Sequence, residues 1–144
     1  MALKIKKSVI SVIDANINRS KEGLRVAEDI CRFIIRGKAL SSSIKRTRHK
    51  INSYAALLSP SYRTLLKSRD SAADPGRRVK SKTEFSRKNP RDILISNFKR
   101  TQESLRVLEE ISKIINVKAA AGFKELRYKA YEAEKKAVLK IKKK

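Results

Sequence analysis

The sequence predicts an all-α domain: four main helices in two duplicated helical hairpins, bundle-like, with a long loop between the hairpins. Three observations carry the prediction. Glycine and proline number only four and three in 144 residues, so few positions break a helix. Apolar residues recur at 3–4 spacing along most of the chain, and no period-2 alternation bounded by turn residues stands out. A fifteen-residue segment occurs twice.

The first helix is predicted over 6–36. Ile10, Ile13, Ile17, Leu24, Ala27, Cys31 and Ile34 form its apolar stripe, broken at Ser20, and Gly37 suits its end. The second is predicted over 40–67, with Ile44, Ile51, Tyr54 and Leu58 on one face. Pro60 interrupts it, and a short helical turn continues to Lys67. The stretch 68–89, SRDSAADPGRRVKSKTEFSRKN, has no periodicity. A loop of that length is functional or disordered. Arg69, Asp70, Asp74, Gly76, Arg77, Arg78 and Arg87 suit a phosphate or metal-phosphate loop; a floppy linker is the alternative. Asn89-Pro90 reads as an N-cap followed by proline at the first helical position, opening a third helix over 90–115. Its stripe is Leu94, Phe98, Leu105, Leu108 and Ile115, broken at Thr101 and Ser112. Ala119, Phe123, Leu126, Ala130, Ala133 and Ala137 mark the fourth, over 118–142.

The repeat pairs NINRSKEGLRVAEDI, residues 16–30, with NFKRTQESLRVLEEI, residues 97–111; eight of fifteen positions are identical. A fainter echo pairs IKRTRHK, residues 44–50, with FKELRYK, residues 123–129. The offset changes from 81 to 79, so the second hairpin needs a shorter connection. These features read as one domain over 1–144, duplicated at about 8–60 and 90–140, with a functional loop at 68–89. A pseudo-two-fold between the copies is expected to gather matched residues around one central cleft.

Charge narrows the partners. The balance of 37 basic to 14 acidic residues gives a net +23, which favours phosphate-bearing or polyanionic partners over acid-seeking ones. A solvated, lysine-rich surface is the plainer explanation. The single cysteine, Cys31, precludes an internal disulfide, and its place on an apolar stripe reads as a buried thiol. No segment reaches the roughly 18 apolar residues of a membrane span, and MALKIKKSVISVIDAN lacks a signal-peptide core. A cytoplasmic protein without a membrane partner is expected. The glycines, at 23, 37, 76 and 122, match neither a P-loop nor a GxGxxG turn. One histidine, His49, and one cysteine cannot build a zinc site, and the few aromatics argue against base stacking.

Asn16, Arg19 and Gly23 fall at i, i+3 and i+7, one face of a helix, and Asn97, Arg100 and Ser104 repeat it. A small third residue leaves space beside an arginine whose fork suits phosphate. Helix-to-helix hydrogen bonding is the structural alternative. Glu22, Arg25 and Asp29 form a helical charge ladder that Glu103, Arg106 and Glu110 match; such pairs are mainly structural. Glu28 and Glu109 are placed to reach a metal.

The strings DANINRSKEGLRVAEDICRF, RTRHK, SRD…DPG, NFKRTQESLRVLEE and FKELRYKAYEAEKK resemble the small alternative hydroxymethylpyrimidine-phosphate kinases of thiamine biosynthesis. That domain also occurs fused to the front of thiamine-phosphate synthase, and a chain of this length resembles the standalone form. The resemblance runs from about Ile13 to Lys136. It implies ATP-dependent phosphorylation of hydroxymethylpyrimidine phosphate to the diphosphate, with refusal of the free alcohol. The matching positions are Asp14, Asn16, Asn18, Arg19, Glu22, Arg25, Glu28 and Asp29, then Arg48 and His49. They continue through Arg69, Asp70, Asp74 and Gly76 to Asn97, Arg100, Glu103, Arg106, Glu109, Arg127 and Tyr128. Pro75, before the loop glycine, departs from the family pattern. On this reading Arg19, Arg100, Arg69 and Asp70 are catalytic. Asn16, Glu22, Arg25, Arg48, Asn97, Glu103, Arg106 and Arg127 bind substrate or phosphate. Arg69, Asp74, Gly76 and Arg87 form the cofactor loop for ATP, and Asp70 with Asp74 holds Mg2+. A homodimer and association with thiamine-phosphate synthase stay open. The competing readings are a basic helical nucleic-acid-binding protein and a non-catalytic docking module of a thiamine enzyme.

Overall fold

Among the described residues the chain forms five α-helices: α1 Lys7–Ile30, α2 Lys38–Ala56, α3 Tyr62–Ser68, α4 Pro90–Ser112 and α5 Val117–Lys140. The computed structural model describes residues 6–58, 60–70, 72–78 and 86–142, and no strand occurs among them. The architecture is the expected duplicated pair of hairpins, α1–α2 and α4–α5, with the short α3 as a fifth helix. Much of the expected 68–89 loop, at 71 and 79–85, lies outside the described residues.

The central contact joins α1 and α4 antiparallel. Thr101 Oγ1 faces the Ser20 carbonyl at 3.5 Å, and a β-carbon on Gly23 would strike Thr101 Oγ1 and crowd the Asn97 carbonyl at 2.9 Å. Hydrophobic periodicity marked Ser20, Thr101 and Ser112 as breaks in the stripes. They are fully buried instead, because small side chains let the two backbones approach. Ser20 and Ser104 turn their hydroxyls onto their own helices, to the Ile17 and Thr101 carbonyls at 3.0 and 2.9 Å. Phe98, Phe123, Leu24, Ile44, Ile51 and Leu126 fill the interior between the hairpins, each 1 % exposed or less. Each such burial stabilises by roughly 1.5–3 kcal/mol. Tyr54 of α2 lies edge-on to Phe123 of α5, and its ring covers Gly122.

The close of the first helix differs from expectation for physical reasons, whereas the breaks at Pro60 and Asn89 fall where expected. The first helix ends in a π-helical turn, Cys31–Ile35. Its wider turn rotates the stripe, so Ile35 packs on the core and Ile34 stands 52 % exposed. Arg36, not Gly37, takes the left-handed conformation that closes the helix, at φ 61. Gly37, at φ −91, is the N-cap of α2. The expected second helix over 40–67 splits at Pro60, and Ser61 caps α3 by accepting the Thr64 N–H at 3.1 Å. Asn89 caps α4 as read from Asn-Pro, accepting the Asp92 N–H at 2.9 Å; Asp92 returns the contact to the Lys88 N–H at 3.2 Å.

Candidate functional site

The chain leaving α3 is tied to α1 by polar contacts. Asp14 sits on α1, 5 % exposed, although it is a carboxylate. Arg69, just past α3, meets it with two parallel bonds: Nε donates to Oδ2 at 2.6 Å and Nη2 to Oδ1 at 2.9 Å. A forked pair of this kind fixes direction as well as distance. The bond to Asp14 raises the Arg69 guanidinium above its ordinary value, so it stays charged. One turn earlier Ser11 donates to the Ser68 carbonyl at 2.9 Å. Asn18 reaches Asp14 Oδ1 at 3.5 Å.

Between this face of α1 and the connection lies a cleft of about 700 Å³. Asn16, Asn18 and Arg19 line it from α1, and Arg69, Asp70 and Asp74 from the connection. Asp70 Oδ1 accepts the Ala73 N–H at 3.1 Å, and Asp74 Oδ1 accepts the Gly76 N–H at 2.8 Å. Each carboxylate thus shapes a tight turn with one oxygen. The loop's shape next to Pro75 follows from these two turns. Gly76 and Arg87 are exposed and do not line the cleft.

Arg19 breaks the symmetry of the repeat. Arg100, its counterpart on α4, reaches Glu22 of α1 at 3.7 Å. The mirrored contact, Arg19 with Glu103, is not made among the described residues. Among the described residues Arg19 makes one side-chain hydrogen bond, to Asn16 Oδ1 at 3.5 Å, and stands exposed at the cleft. Asn16 itself is anchored by its amide to the Val12 carbonyl at 2.8 Å, as Asn97 is to Ile93 at 2.8 Å.

The other expected site residues lie elsewhere, and the matched residues do not surround one cleft. Arg48 donates to buried Glu28 at 3.0 Å, and Arg127 to buried Glu109 at 3.1 Å from Nη2 and 3.2 Å from Nε. These equivalent pairs cross-link each hairpin from within, which explains the echo of Arg48 at Arg127. Arg127 also donates to the Tyr131 hydroxyl at 3.3 Å, the main cause of its raised pKa. Arg25 pairs with Asp29 at 3.7 Å, and Arg106 with Glu109 and Glu110 at 3.1 and 3.0 Å, on the surface. Glu22 turns to Arg100 and not to Arg25, and Glu103 is exposed. Asn97 is half-buried at the α1–α4 contact.

No cluster of three or more metal-ligating side chains occurs among the described residues. Glu28 and Glu109 are occupied by arginines. Asp70 and Asp74 supply two carboxylates on one cleft, a set suited to a Mg2+ that arrives on a polyphosphate and keeps most of its own ligands. No described helix is long and apolar enough to cross a membrane.

Asp14 carries more of the site than spacing alone indicated. Its signal was a difference between the copies. The position equivalent to Asp14 is Ile95, and that equivalent to Asn18 is Lys99. Asp14 and Asn18, found only in the first copy, stand at the cleft beside Asn16 and Arg19, which both copies keep.

The sequence profile described as the ThiD2 family matches residues 11–136. Similar curated proteins include the thiamine-phosphate synthases of Nostoc punctiforme and Gloeobacter violaceus. The first is 35 % identical over 131 residues, covering 91 % of this chain and 36 % of the relative. The second is 34 % identical over 137 residues, covering 95 % and 38 %. The synthase of Rhodopirellula baltica is 33 % identical over 135 residues, covering 94 % and 36 %. The chain therefore spans little more than a third of the relatives it matches. No solved structure matches it.

Proposed function

From the premise that the chain belongs to the ThiD2 family, we propose that it is a kinase of thiamine biosynthesis, using ATP to convert hydroxymethylpyrimidine phosphate to its diphosphate. The observation that carries this reading is the cleft in which Arg19, Asn16 and Asn18 of α1 face Asp70 and Asp74 of the connection that Arg69 ties down. The thiamine-phosphate synthases among its relatives support the pathway.

The chemistry fits the residues. A substrate phosphate oxygen attacks the γ-phosphorus of ATP; the new P–O bond forms as the bond to the β-phosphate oxygen breaks, and ADP leaves. The nucleophile is already anionic near neutral pH, so no strong general base is needed. Catalysis then rests on positioning and charge neutralisation. Arg19 holds a phosphate with a fork that no carboxylate of the described residues occupies. Arg69, already held by Asp14, keeps the connection at the cleft wall and offers Nη1 to the ligand. Asp70 and Asp74 would hold Mg2+, which neutralises polyphosphate charge when bound. Asn16 and Asn18 offer amide oxygens to the pyrimidine amino group. Arg100 is paired with Glu22, one turn along α1 from Arg19, and does not line the cleft. Refusal of the free alcohol follows if Arg19 is left unmatched when the substrate phosphate is missing.

The test is ADP release by purified protein with magnesium and ATP, offering hydroxymethylpyrimidine phosphate and the free alcohol separately. Turnover with the phosphate alone supports the proposal. Folded protein that turns over neither overturns it.

A further inference from the structure

The cleft uses only a small part of the +23 charge. A second and larger concavity, about 880 Å³, lies between α2 and α5 and shares no lining residue with the first. Arg46, His49 and Lys50 line it from α2, and Lys129, Lys136 and Lys140 from α5, against a single acid, Glu132. The arginines inside the fold and at the α1–α4 contact face carboxylates. Here, among the described residues, Arg46, Lys136 and Lys140 enter no ion pair; Lys50 lies over the Tyr54 ring, and Lys129 has only an exposed contact to Glu125 at 3.6 Å. Like charges gathered along a groove without counter-charges cost self-repulsion, which a bound polyanion relieves.

The shape narrows the ligand. The lining runs from Ala39 to Ser53 on α2 and from Lys129 to Lys140 on α5. At 1.5 Å per residue the α2 side is about 20 Å long. That length faces about six phosphates of a stacked strand, at roughly 3.4 Å each. It is a trough and not a flat or convex face, so it suits a strand better than a membrane surface. The lining holds no tyrosine, phenylalanine or tryptophan, so bases have no platform on which to stack. We infer that the α2–α5 groove binds the backbone of a single-stranded nucleic acid, through charge and without base readout.

Fluorescence anisotropy with a labelled oligouridylate of about 20 nucleotides tests this, over a salt series and on the full chain. The salt slope of log affinity is expected near −3 to −4, for about five phosphate contacts at roughly 0.7 each. The triple variant Arg46→Glu, Lys136→Glu, Lys140→Glu should weaken binding at least tenfold and flatten the slope by about 2. A control, Lys88→Glu, Lys118→Glu, Lys124→Glu, has the same net charge outside the groove and should lose less than threefold. Circular dichroism verifies folding of both, and a groove variant with fewer reversals replaces the triple if it does not fold. Equal losses in the two triples overturn the inference, because the charge then acts without a site. Absence of binding at low salt overturns it too, as does binding only to vesicles containing about 30 % phosphatidylserine. Kinase turnover is a separate readout, so failure there leaves this result standing.

Discussion

Glu28 and Glu109 set the residue scale. Each is a carboxylate at 5 % exposure or less, held by an arginine from the second helix of its own hairpin. Removing Arg48 leaves Glu28 buried without a partner, which costs far more than losing a surface pair, whereas Glu109 keeps Arg106 at 3.1 Å. Arg48→Ala should lower stability by about 3 kcal/mol in urea titrations, and Arg127→Ala by less, because Arg106 still faces Glu109. Arg25→Ala, breaking an exposed pair, should cost no more than about 0.5 kcal/mol. Equal effects would show that the interior pairs are not the cross-links. Cys31 gives a pH prediction. Burial pushes its thiol from an ordinary 9.0 to about 11. In the unfolded chain it ionises first, so the folded form binds the extra proton between about pH 9 and 11, and stability falls as pH rises through that window. Cys31→Ala should flatten that part of the stability profile, and the native thiol should resist a thiol reagent at pH 8. The interior pairs were only half legible: the echo of Arg48 at Arg127 was visible, but their partners, some 20 residues away, were not.

At the scale of elements, the α1–α4 contact depends on small residues. Gly23→Ala would drive a methyl against Thr101 and the Asn97 carbonyl, neither free to move far. Overpacking of this kind costs about 1–3 kcal/mol, against a helix-propensity gain of about 1 kcal/mol, so a net loss near 1 kcal/mol is expected in thermal melts. A stabilised variant would mean that the helices separate at little cost. The close of the first helix predicts the opposite sign. Arg36 holds φ 61, a conformation glycine adopts without strain, so Arg36→Gly should raise stability by about 0.5–1 kcal/mol. Helix number and most boundaries were readable because capping and periodicity are local. The π-turn was not, since it depends on how Ile35 meets the core of another hairpin.

At the scale of the molecule, net charge opposes compaction. Raising sodium chloride from about 20 to 500 mM should stabilise the chain by about 1–2 kcal/mol, read as an upward shift of the melting temperature of roughly 3–8 °C. A flat response would show that local pairing already balances the repulsion. The unequal surroundings of Arg19 and Arg100 make a further prediction. Arg19→Ala should lower kinase turnover by at least 100-fold, whereas Arg100→Ala should lower it by tenfold or less, in the ADP-release assay. The reverse order would place the phosphate on α4.

The sequence by itself determined the helical class, the duplication, the proline and asparagine boundaries, and a set of polar residues that includes those lining the cleft. Those follow from periodicity, capping and self-comparison, all of which act over short separations. Only the tertiary structure decided which polar residues meet. It joined Asp14 to Arg69 across 55 residues, consigned Arg48 and Arg127 to the interior, and left Arg19 without the partner that Arg100 has. The physical reason is that a charge is assigned to fold or to site by what faces it, and facing is settled by helix packing rather than by position along the chain.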